Sequence, residues 1–580
     1  MQQSWESLPK HLERYVVEQD YSRYTPENQA VWRFIMRGLK DHLSVHAHPC
    51  YLEGLEKSGI STERIPKISE MDLKLRQYGW GAVPVSGFIP PAAFMEFQSM
   101  GLLPIASDMR TLDHLLYTPA PDIVHEAAGH APILIDPEFA GYLKHYGEVA
   151  RHAIISRWDL DQYEAIRELS DIKEHPDSTE EQIKAATERL NHINGQIKEV
   201  SEAGLLSRMN WWTAEYGLIG DVNSPRIFGA GLLSSLGEAR SCLEPEVKKI
   251  PLTVDCVDYA YDITEKQPQL FVTPDFASLY NVLDELAERM AFRRGGVFGL
   301  QQALIARTVN TVKLDSGLEI SGQLVEYTTD SSGSPEPKIE FVRFSGPCQL
   351  SFERTQIPEQ GTQHHPHGFS SPLGPIMGFN KSLSLASGLE LSQLGFRENE
   401  TLNLEFRSGI QVQGRLKKLL FERNKLLLIS LVECQVSRGN QILFCPEWGA
   451  FDMAVGEKII SVFGGPADRE HYDLEKDFTQ AQVPAKRFSP GVLEQHQILS
   501  RIRQFRETGD PTQAQQFLTQ ASEEFLKNYK NHWLMGLEIL ELCDLHGLKD
   551  IKSAVQETLS HLEGSLDGEI YQPLDQRRPR

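Results

Sequence analysis

Two histidines and a glutamate lie close together in the segment PDIVHEAAGH, at residues 121–130. Imidazole and carboxylate groups are common ligands of divalent metal ions. Zinc proteases carry the related pattern HExxH, in which histidines four apart share one face of a helix. Here His125 and His130 are five apart, and five residues of an ideal α-helix turn by about 500°, which leaves the side chains roughly 140° apart. The spacing disfavours a zinc protease, and we expect a shared metal only if His125 lies at a frayed or kinked helix start.

The sequence around these residues resembles the core signature of the pterin-dependent aromatic amino acid hydroxylases. The stretch YTPAPDIVHE at residues 117–126 carries the likeness, which continues through GHAP at residues 129–132. Further matches, in the family's order, are VPVSGFI at 83–89 with Phe94, WWTAEYGL at 211–218, and GAGLLSS at 229–235 with Gly237 and Glu238. Together they extend the resemblance over residues 20–295.

The resemblance implies a fold, a set of cofactors and a reaction. The fold is a mainly α catalytic domain, and the metal is ferrous iron bound by His125, His130 and Glu215. With O₂ and tetrahydrobiopterin or a related reduced pterin, such a domain hydroxylates a free aromatic amino acid. Two imidazoles and one carboxylate on one face of Fe(II) leave positions open for O₂ and water, so the residue types agree with this chemistry.

Other site residues carry over from the family by position. Arg110, fifteen residues before His125, would bind the substrate carboxylate, which suits the fork of a guanidinium group. Trp211 and Tyr216 would form walls for the substrate ring. The resemblance also assigns Tyr117, Thr118, Gly231 and Ser234 to the amino acid, Glu126 and Ser234 to catalysis, and Val85, Gly87, Phe88, Ile89, Phe94 and Glu126 to the pterin.

Phenylalanine is the expected substrate. Trp211 is a large residue of the type that phenylalanine and tyrosine hydroxylases carry at this position, whereas tryptophan hydroxylases tend to have a smaller ring. Ile263 stands where tyrosine hydroxylases tend to carry an acid. Tryptophan and tyrosine are the alternatives. Two other hypotheses are a zinc hydrolase with Glu126 as base and a regulatory protein built on a decayed hydroxylase, although the intact ligand set argues against decay.

Composition excludes several other functions. The 580 residues carry a formal net charge of −22, which argues against non-specific nucleic-acid binding and against attachment to anionic membranes. The apolar runs are short, and the N-terminus lacks the apolar segment of a signal peptide, so we expect a cytoplasmic protein. Seven cysteines form no CxxC pair, which favours reduced thiols over a zinc ribbon or a disulfide framework.

The sequence departs from the family between the histidines and the third ligand. Glu215 follows His130 by 85 positions, which is far more than usual, and residues 150–206 are predicted to be an inserted helical hairpin. A helical seam of Ile183, Ala186, Leu190, Ile193, Ile197 and Val200 supports this prediction. Asn210 and Ser207 stand where an aromatic and a small apolar residue are commoner, which puts the pterin edge contacts there in doubt.

The whole chain is expected to be multidomain. Residues 1–300 form the catalytic domain, residues 305–470 a β-rich region, and residues 485–565 helical hairpins. An internal repeat, VKLDSGLEISGQL at 312–324 and LEFRSGIQVQGRL at 404–416, predicts two duplicated β-hairpins that turn at Ser-Gly. The tract HHPH at 364–367 favours a flexible, solvated loop over a metal site. We expect the C-terminal half to mediate self-association or protein binding rather than the chemical step.

Overall fold

The first 300 residues are mainly helical, as predicted. The computed structural model describes residues 3–85, 89–112, 115, 121–174, 178–261, 266–330, 337–472 and 488–562. The helices of this part are α1 Lys10–Glu13, α2 Pro26–His46, α3 Tyr51–Lys57, α4 Ile68–Leu75, α5 Pro91–Ser99, α6 Pro137–Ala150, α7 Arg157–Glu174, α8 Glu180–Asn194, α9 Glu202–Asn210, α10 Ala230–Leu233, α11 Glu238–Ser241, α12 Phe276–Glu288, α13 Ala291–Arg294 and α14 Gly296–Ala306.

Two small sheets accompany these helices. A parallel pair consists of β1 Gly81–Val85 and β2 Leu102–Ala106. The second sheet has the order β4-β3-β6-β5 and consists of β3 Leu218–Ile219, β4 Arg226–Ile227, β5 Lys248–Pro251 and β6 Gln269–Thr273.

Helix α2 lies at the centre of the main core. It begins with a capping box, in which Thr25 and Asn28 satisfy each other's backbone N–H groups. Trp32, Phe34 and Ile35 are at most 1% exposed, although they point to different sides of the helix. A helix that is buried all round needs packing partners on every side, and part of that packing comes from the far end of the chain.

Helices α7 and α8 follow one another in the region where the sequence predicts an insertion. Gln162 bonds to Asn194 at 2.7 Å, and Arg189 pairs with Glu168, so the contacts run in opposite order along the two helices. Helix α8 begins with a capping box at Thr179 and Gln182. The predicted seam is wrong in its last part, because α8 ends at Asn194, before Ile197 and Val200.

The region after residue 305 is rich in β-strands, as predicted. The strands are β7 Val309–Leu314, β8 Leu318–Thr329, β9 Ile339–Phe352, β10 Thr355–Gln356, β11 Gly368–Pro372, β12 Thr401–Glu405, β13 Ile410–Glu422, β14 Lys425–Arg438, β15 Gln441–Phe444, β16 Phe451–Ala454 and β17 Ile459–Gly464, with short helices α15 Gly388–Gln393 and α16 Arg469–Tyr472. The first sheet has the order β10-β9-β8-β7-β17, with β11 beside β9, and the second has the order β12-β13-β14-β15, with β16 beside β14.

The two copies of the internal repeat form antiparallel strand pairs. Val312 lies opposite Ile320 in β7 and β8, and Leu404 lies opposite Val412 in β12 and β13. Each turn contains a glycine with positive φ, which is 102° at Gly317 and 78° at Gly409. Residues with a side chain disfavour this conformation. The Ser-Gly pair in each copy of the repeat therefore suits the turn that it forms.

The histidine tract between the two copies is exposed at His364, Pro366 and His367, as its composition predicts, but His365 is buried. Cys348 N–H donates to His365 O at 2.9 Å, and Gly361 O accepts from the backbone N–H groups of His364 and His365. The His365 residue is only 9% exposed. Contacts with Cys348 in β9 and with Asp452 in β16 hold this segment, and local composition carries no signal of them.

The C-terminal helices pack against α2. They are α17 Pro490–Thr508, α18 Ala514–Asn528, α19 Trp533–His546 and α20 Lys549–Ser560. Leu499, Phe525 and Leu534 belong to the same hydrophobic core as the α2 residues, and the rings of Phe34 and Trp533 meet edge to face at 5.0 Å. None of the described helices is long and apolar enough to cross a membrane.

Candidate metal centre and surrounding pocket

His125 and His130 lie on a π-helical turn rather than at a frayed helix start. The turn spans His125–His130, and the backbone N–H of Ala131 donates to Glu126 O, five residues back. A π turn closes its hydrogen bonds over five residues instead of four, so side chains five apart come to the same side. The rings of the two histidines have centroids 5.1 Å apart. The spacing that is unfavourable on an α-helix is therefore suitable here.

Glu215 also lies on a π turn. Helix α9 continues directly into the π turn Trp211–Glu215, and Tyr216 N–H donates to Trp211 O at 2.8 Å. Glu215 Oε2 is 3.2 Å from His125 Nε2, and Glu215 Oε1 is 3.3 Å from His130 Nε2. One ligand atom from each of the three residues lies within 4.8 Å of the others. The three residues assigned to iron from the sequence thus converge.

The charges at this centre favour an ionised carboxylate beside imidazoles. Burial would raise the pKa of Glu215, but the two histidines lower it well below its usual range. Burial would likewise lower the pKa of His125, but the hydrogen bond and charge of Glu215, helped by Glu126 and Asp122, raise it to about 9. A bound divalent cation takes the place of such protons, because metal ligands must be deprotonated.

Two neighbouring side chains orient the candidate ligands. Ser234 Oγ donates to Ala230 O at 2.7 Å and lies 3.2 Å from His125 Nδ1. Since that hydroxyl proton is used, Ser234 Oγ accepts from Nδ1–H and leaves His125 Nε2 free for a metal. On the other side, Asn210 Nδ2 donates to Glu215 Oε1 at 3.2 Å. Asn210, by its position in the sequence a doubtful pterin contact, thus has an orienting role that the sequence does not reveal.

Glu126 is a buried carboxyl beside the ligand group. Its Oε2 lies 4.0 Å from His130 Nε2 and has no hydrogen-bond partner in the part of the chain that the structure describes. Burial raises the pKa of Glu126, and the neighbouring His125 and His130 lower it in part. An unpartnered buried carboxyl oxygen requires a donor, and a pterin ring carries N–H donors of the right kind.

Arg110 is buried next to the candidate metal ligands and is paired with Asp122. Arg110 Nε and Nη2 donate to the two Asp122 oxygens at 2.7 and 2.8 Å, and Nη1 donates to Leu115 O at 3.3 Å. Two of the five guanidinium N–H groups have no partner among the described residues. Asp122 Oδ1 also accepts from His125 N–H at 3.2 Å. Asp122 therefore connects the predicted substrate anchor to the first metal ligand, a role that its place in the PDIVHE motif could have suggested.

A stack of three aromatic rings lies beside the Glu215 turn. Trp211 stacks on Tyr216 with centroids 4.4 Å apart and on Tyr261 with centroids 4.3 Å apart. Tyr261 Oη and Ser207 Oγ are 2.9 Å apart. A Cβ on Gly231 would approach Tyr216 Cε2 to 2.8 Å, so Gly231 allows the Tyr216 ring to lie close to α10. The sequence analysis does not single out Tyr261.

The predicted pterin residues are described only in part. Val85, Ile89 and Phe94 lie in one small hydrophobic cluster with residues near the N-terminus. The predicted site residues Gly87, Phe88, Tyr117 and Thr118 lie outside the described residues, as does Ile263, on which the choice of substrate depends.

The similarity to known proteins lies in the N-terminal part of the chain, which contains the candidate metal centre. A family model described as biopterin-dependent aromatic amino acid hydroxylase matches residues 14–153 and 197–319. Phenylalanine-4-hydroxylase of Mesorhizobium japonicum is 30% identical over 269 residues, which cover 46% of this chain and 81% of the relative. The Chromobacterium violaceum protein of that name is 28% identical over 280 residues, covering 46% and 80%.

A solved structure of the Chromobacterium violaceum enzyme is also similar. It contains bound iron(III) and the oxidised cofactor 7,8-dihydrobiopterin, is 26% identical, and has a TM-score of 0.38, with coverage of 48% of this chain and 86% of that chain. The family match contains all three candidate ligands and is interrupted between residues 153 and 197. It ends at residue 319, so most of the β-rich region and all the C-terminal helices lie beyond it.

Proposed function

Because this chain belongs to the biopterin-dependent aromatic amino acid hydroxylases, we propose that it converts free phenylalanine to tyrosine with O₂ and a reduced pterin. The convergence of His125, His130 and Glu215 carries the proposal. Two imidazoles and one carboxylate match the ligand set of non-haem Fe(II) oxygenases. When bound, ferrous iron and the reduced pterin activate O₂ for transfer of one oxygen atom to the aromatic ring.

The chain's own residues bind and orient the reactants. Arg110 would bind the substrate carboxylate through its two remaining N–H groups, while Asp122 fixes the plane of the guanidinium group. Glu126 would accept a hydrogen bond from the pterin at its unpartnered Oε2. Ser234 keeps His125 Nε2 directed at the metal. Each of these tasks restricts geometry or a proton position, which is what a protein contributes to cofactor chemistry.

The remaining assignments from the sequence stay proposals. Trp211 and Tyr216 would bound the substrate ring, and Gly231 would permit that arrangement. Tyr117 and Thr118 would contact the amino acid, and Val85, Gly87, Phe88, Ile89 and Phe94 would contact the pterin.

The domain boundaries predicted from the sequence are also part of this proposal. Residues 1–300 would be the catalytic domain, with α7 and α8 as an inserted hairpin; the gap in the family match between residues 153 and 197 supports this. Residues 305–470 would contain a duplicated module, which the equal registers of the two repeat hairpins support. Residues 485–565 would be helical hairpins. A role of the C-terminal half in self-association or partner binding, and a cytoplasmic location, stay predictions.

A direct assay tests the proposed function. The full-length chain, loaded with Fe(II) and supplied with tetrahydrobiopterin and O₂, is compared on phenylalanine, tryptophan and tyrosine. We expect the highest kcat/KM for phenylalanine, with pterin oxidation coupled to tyrosine formation. The His125→Ala variant should lose both iron and hydroxylation. A higher kcat/KM for tyrosine or tryptophan would refute the substrate, and full activity of an iron-free protein would refute the mechanism.

A further inference from the structure

A second group of two imidazoles and one carboxylate lies in the β-rich region. It consists of His364, His365 and Asp452, and one ligand atom from each lies within 4.8 Å of the others. Asp452 Oδ2 is 2.8 Å from His364 Nε2 and 3.9 Å from His365 Nε2. Ligand atoms about 2.0–2.1 Å from a tetrahedral zinc ion are separated by about 3.3 Å. The observed distances lie on either side of that value, so small side-chain rotations are enough to admit an ion.

A fourth possible ligand atom lies next to His365. Gln360 Oε1 is 2.7 Å from His365 Nε2, and Gln360 is 8% exposed. The group therefore presents two nitrogen and two oxygen donors, counting one carboxylate oxygen of Asp452. A structural zinc ion takes four ligands, of which imidazole nitrogens and a carboxylate oxygen are usual types, and the Gln360 carbonyl oxygen would supply the fourth.

The carboxylate is oriented by its neighbour on the adjacent strand. Asp452 lies in β16 and is 6% exposed, and its Oδ1 accepts a hydrogen bond from Ser430 Oγ in β14. Oδ2 is left to face the imidazoles. Such fixing of a ligand by a second side chain is the usual arrangement around protein metal sites.

The histidine side is fixed through its backbone. Cys348 N–H in β9 donates to His365 O, and Gly361 O accepts from His364 and His365 N–H. The loop that carries both imidazoles is thus attached to the first sheet, whereas Asp452 belongs to the second. An ordinary ion pair between His364 and Asp452 would not account for the second imidazole, whose Nε2 lies 3.9 Å from the same carboxylate oxygen.

We propose that His364, His365 and Asp452, with Gln360 Oε1 as fourth donor, bind one divalent cation of the Zn²⁺ type. The ion links the loop of the first sheet to β16 of the second. It is separate from the catalytic iron and takes no part in hydroxylation. Because the ligands meet only in the folded chain, the ion stabilises the β-rich region.

The test measures metal binding in the full-length chain with the catalytic centre disabled. In a His125→Ala, His130→Ala background, chelator-treated protein is titrated with Zn²⁺ and, for spectra, with Co²⁺. We expect one equivalent of Zn²⁺ per chain, visible absorption bands of a four-coordinate Co²⁺ site, and a higher thermal unfolding temperature with Zn²⁺.

Three further variants in that background locate the site. His364→Gln and Asp452→Asn should each weaken Zn²⁺ binding at least about 10-fold and remove the thermal shift. His367→Gln is the matched control, because this exposed histidine belongs to the same tract but not to the group. Should Asp452→Asn fail to fold, His364→Gln decides, since that side chain is 44% exposed.

Two results would overturn the proposal. One is the lack of any Zn²⁺ equivalent in the parent background. The other is an equal loss of binding in His367→Gln and His364→Gln, which would indicate an adventitious histidine tract. Neither result depends on hydroxylation, so this proposal can fail while the proposed function stands.

Discussion

Arg33 and Glu538 lie 505 positions apart in the chain and form a bidentate ion pair. Arg33 Nε is 2.8 Å from Glu538 Oε1, and Arg33 Nη2 is 2.9 Å from Oε2. The two side chains are 2% and 3% exposed. Burial would raise the pKa of Glu538, but Arg33 and Arg506 lower it. The pair therefore joins α19 to α2 with an ionised carboxylate inside the core.

Removal of this carboxylate should be strongly destabilising. Glu538→Gln leaves Arg33 charged and buried without its counter-ion, so we expect the free energy of unfolding to fall by about 3–5 kcal/mol. Glu524→Gln is the control, because Glu524 pairs with Arg501 at a more exposed site, and its loss should cost under about 1 kcal/mol. Urea unfolding measures both. Equal losses of unfolding free energy in the two variants would show that the buried ion pair contributes no more to stability than the exposed one.

A fragment of residues 1–472, which keeps the β-rich region, should not match the stability of the full chain. It lacks Glu538 and the C-terminal helices that cover α2, so apolar surface becomes exposed. We expect the fragment to aggregate, and we expect co-expression of residues 488–562 to restore a monodisperse, iron-binding complex. Size-exclusion chromatography with metal analysis measures this. A fragment that hydroxylates phenylalanine without that segment would show that the C-terminal helices are dispensable for the catalytic domain.

Asn210 should affect metal affinity, although it lies outside the ligand set. Asn210→Ala removes the hydrogen bond to Glu215 Oε1, and loss of such a bond typically weakens metal binding by about 10-fold or more. Ser207→Ala is the control, because Ser207 contacts Tyr261 rather than a ligand. Fe(II) titration of both variants gives the comparison. If Ser207→Ala weakens Fe(II) binding as much, helix α9 as a whole is responsible and Asn210 is not a positioning residue.

Arg110 and Asp122 should be tested as a pair. Arg110→Ala removes the proposed carboxylate anchor, but it also strands the buried Asp122 carboxylate beside His125. We expect a lower unfolding temperature and a higher KM for phenylalanine. In Arg110→Ala with Asp122→Asn, the stranded charge is absent, so the unfolding temperature should recover in part while KM stays high. Recovery of KM in the double variant would mean that Arg110 acts through Asp122 rather than on the substrate.

Glu96 should make stability depend on pH in the acid range. Burial raises the pKa of Glu96, but His11, Arg469 and Arg151 lower it to about 2 in the folded chain, from its usual 4.5. A lowered folded pKa contributes stability above pH 4.5, and this contribution disappears as the pH falls from 4.5 towards 2. The shift corresponds to about 3 kcal/mol.

The measurement is unfolding free energy as a function of pH in the parent and in Glu96→Gln. We expect the variant to be less stable at pH 7 and to show a smaller loss of stability below about pH 4.5. Because Arg469 belongs to α16, acid should also weaken the attachment of the β-rich region to the catalytic region. Parallel curves for the two proteins would contradict the assignment to Glu96.

Local signals in the sequence predicted much of the fold. The two repeat hairpins follow from period-two alternation and Ser-Gly turns, which depend only on neighbouring residues. The end of α8 at Asn194 was missed because Ile197 and Val200 continue the apolar period, although the chain has already left the helix.

Long-range contacts could not be predicted in the same way. The His364 tract has the composition of a loop, and its partner Asp452 lies 88 positions further on. At the candidate metal centre, the resemblance supplied three residues whose ligand atoms converge, whereas helix geometry alone argued against His125 and His130 sharing a metal. Because the segment forms a π turn, the two histidines do come together. The spacing of two histidines does not by itself predict a π turn.

The two π turns mean that the positions of the candidate ligands depend on chain length as well as on residue type. Each turn has one residue more between its hydrogen-bonded groups than an α-helix has. Deletion of Ala127 or Ala128 would let the first segment relax to regular α-helix, with the two histidines four apart and still on one face. Insertion of one residue at the same place would instead leave the histidines six apart and about 120° from each other around an α-helix. A one-residue deletion here should therefore be better tolerated than a one-residue insertion, even though the alanines themselves bind nothing.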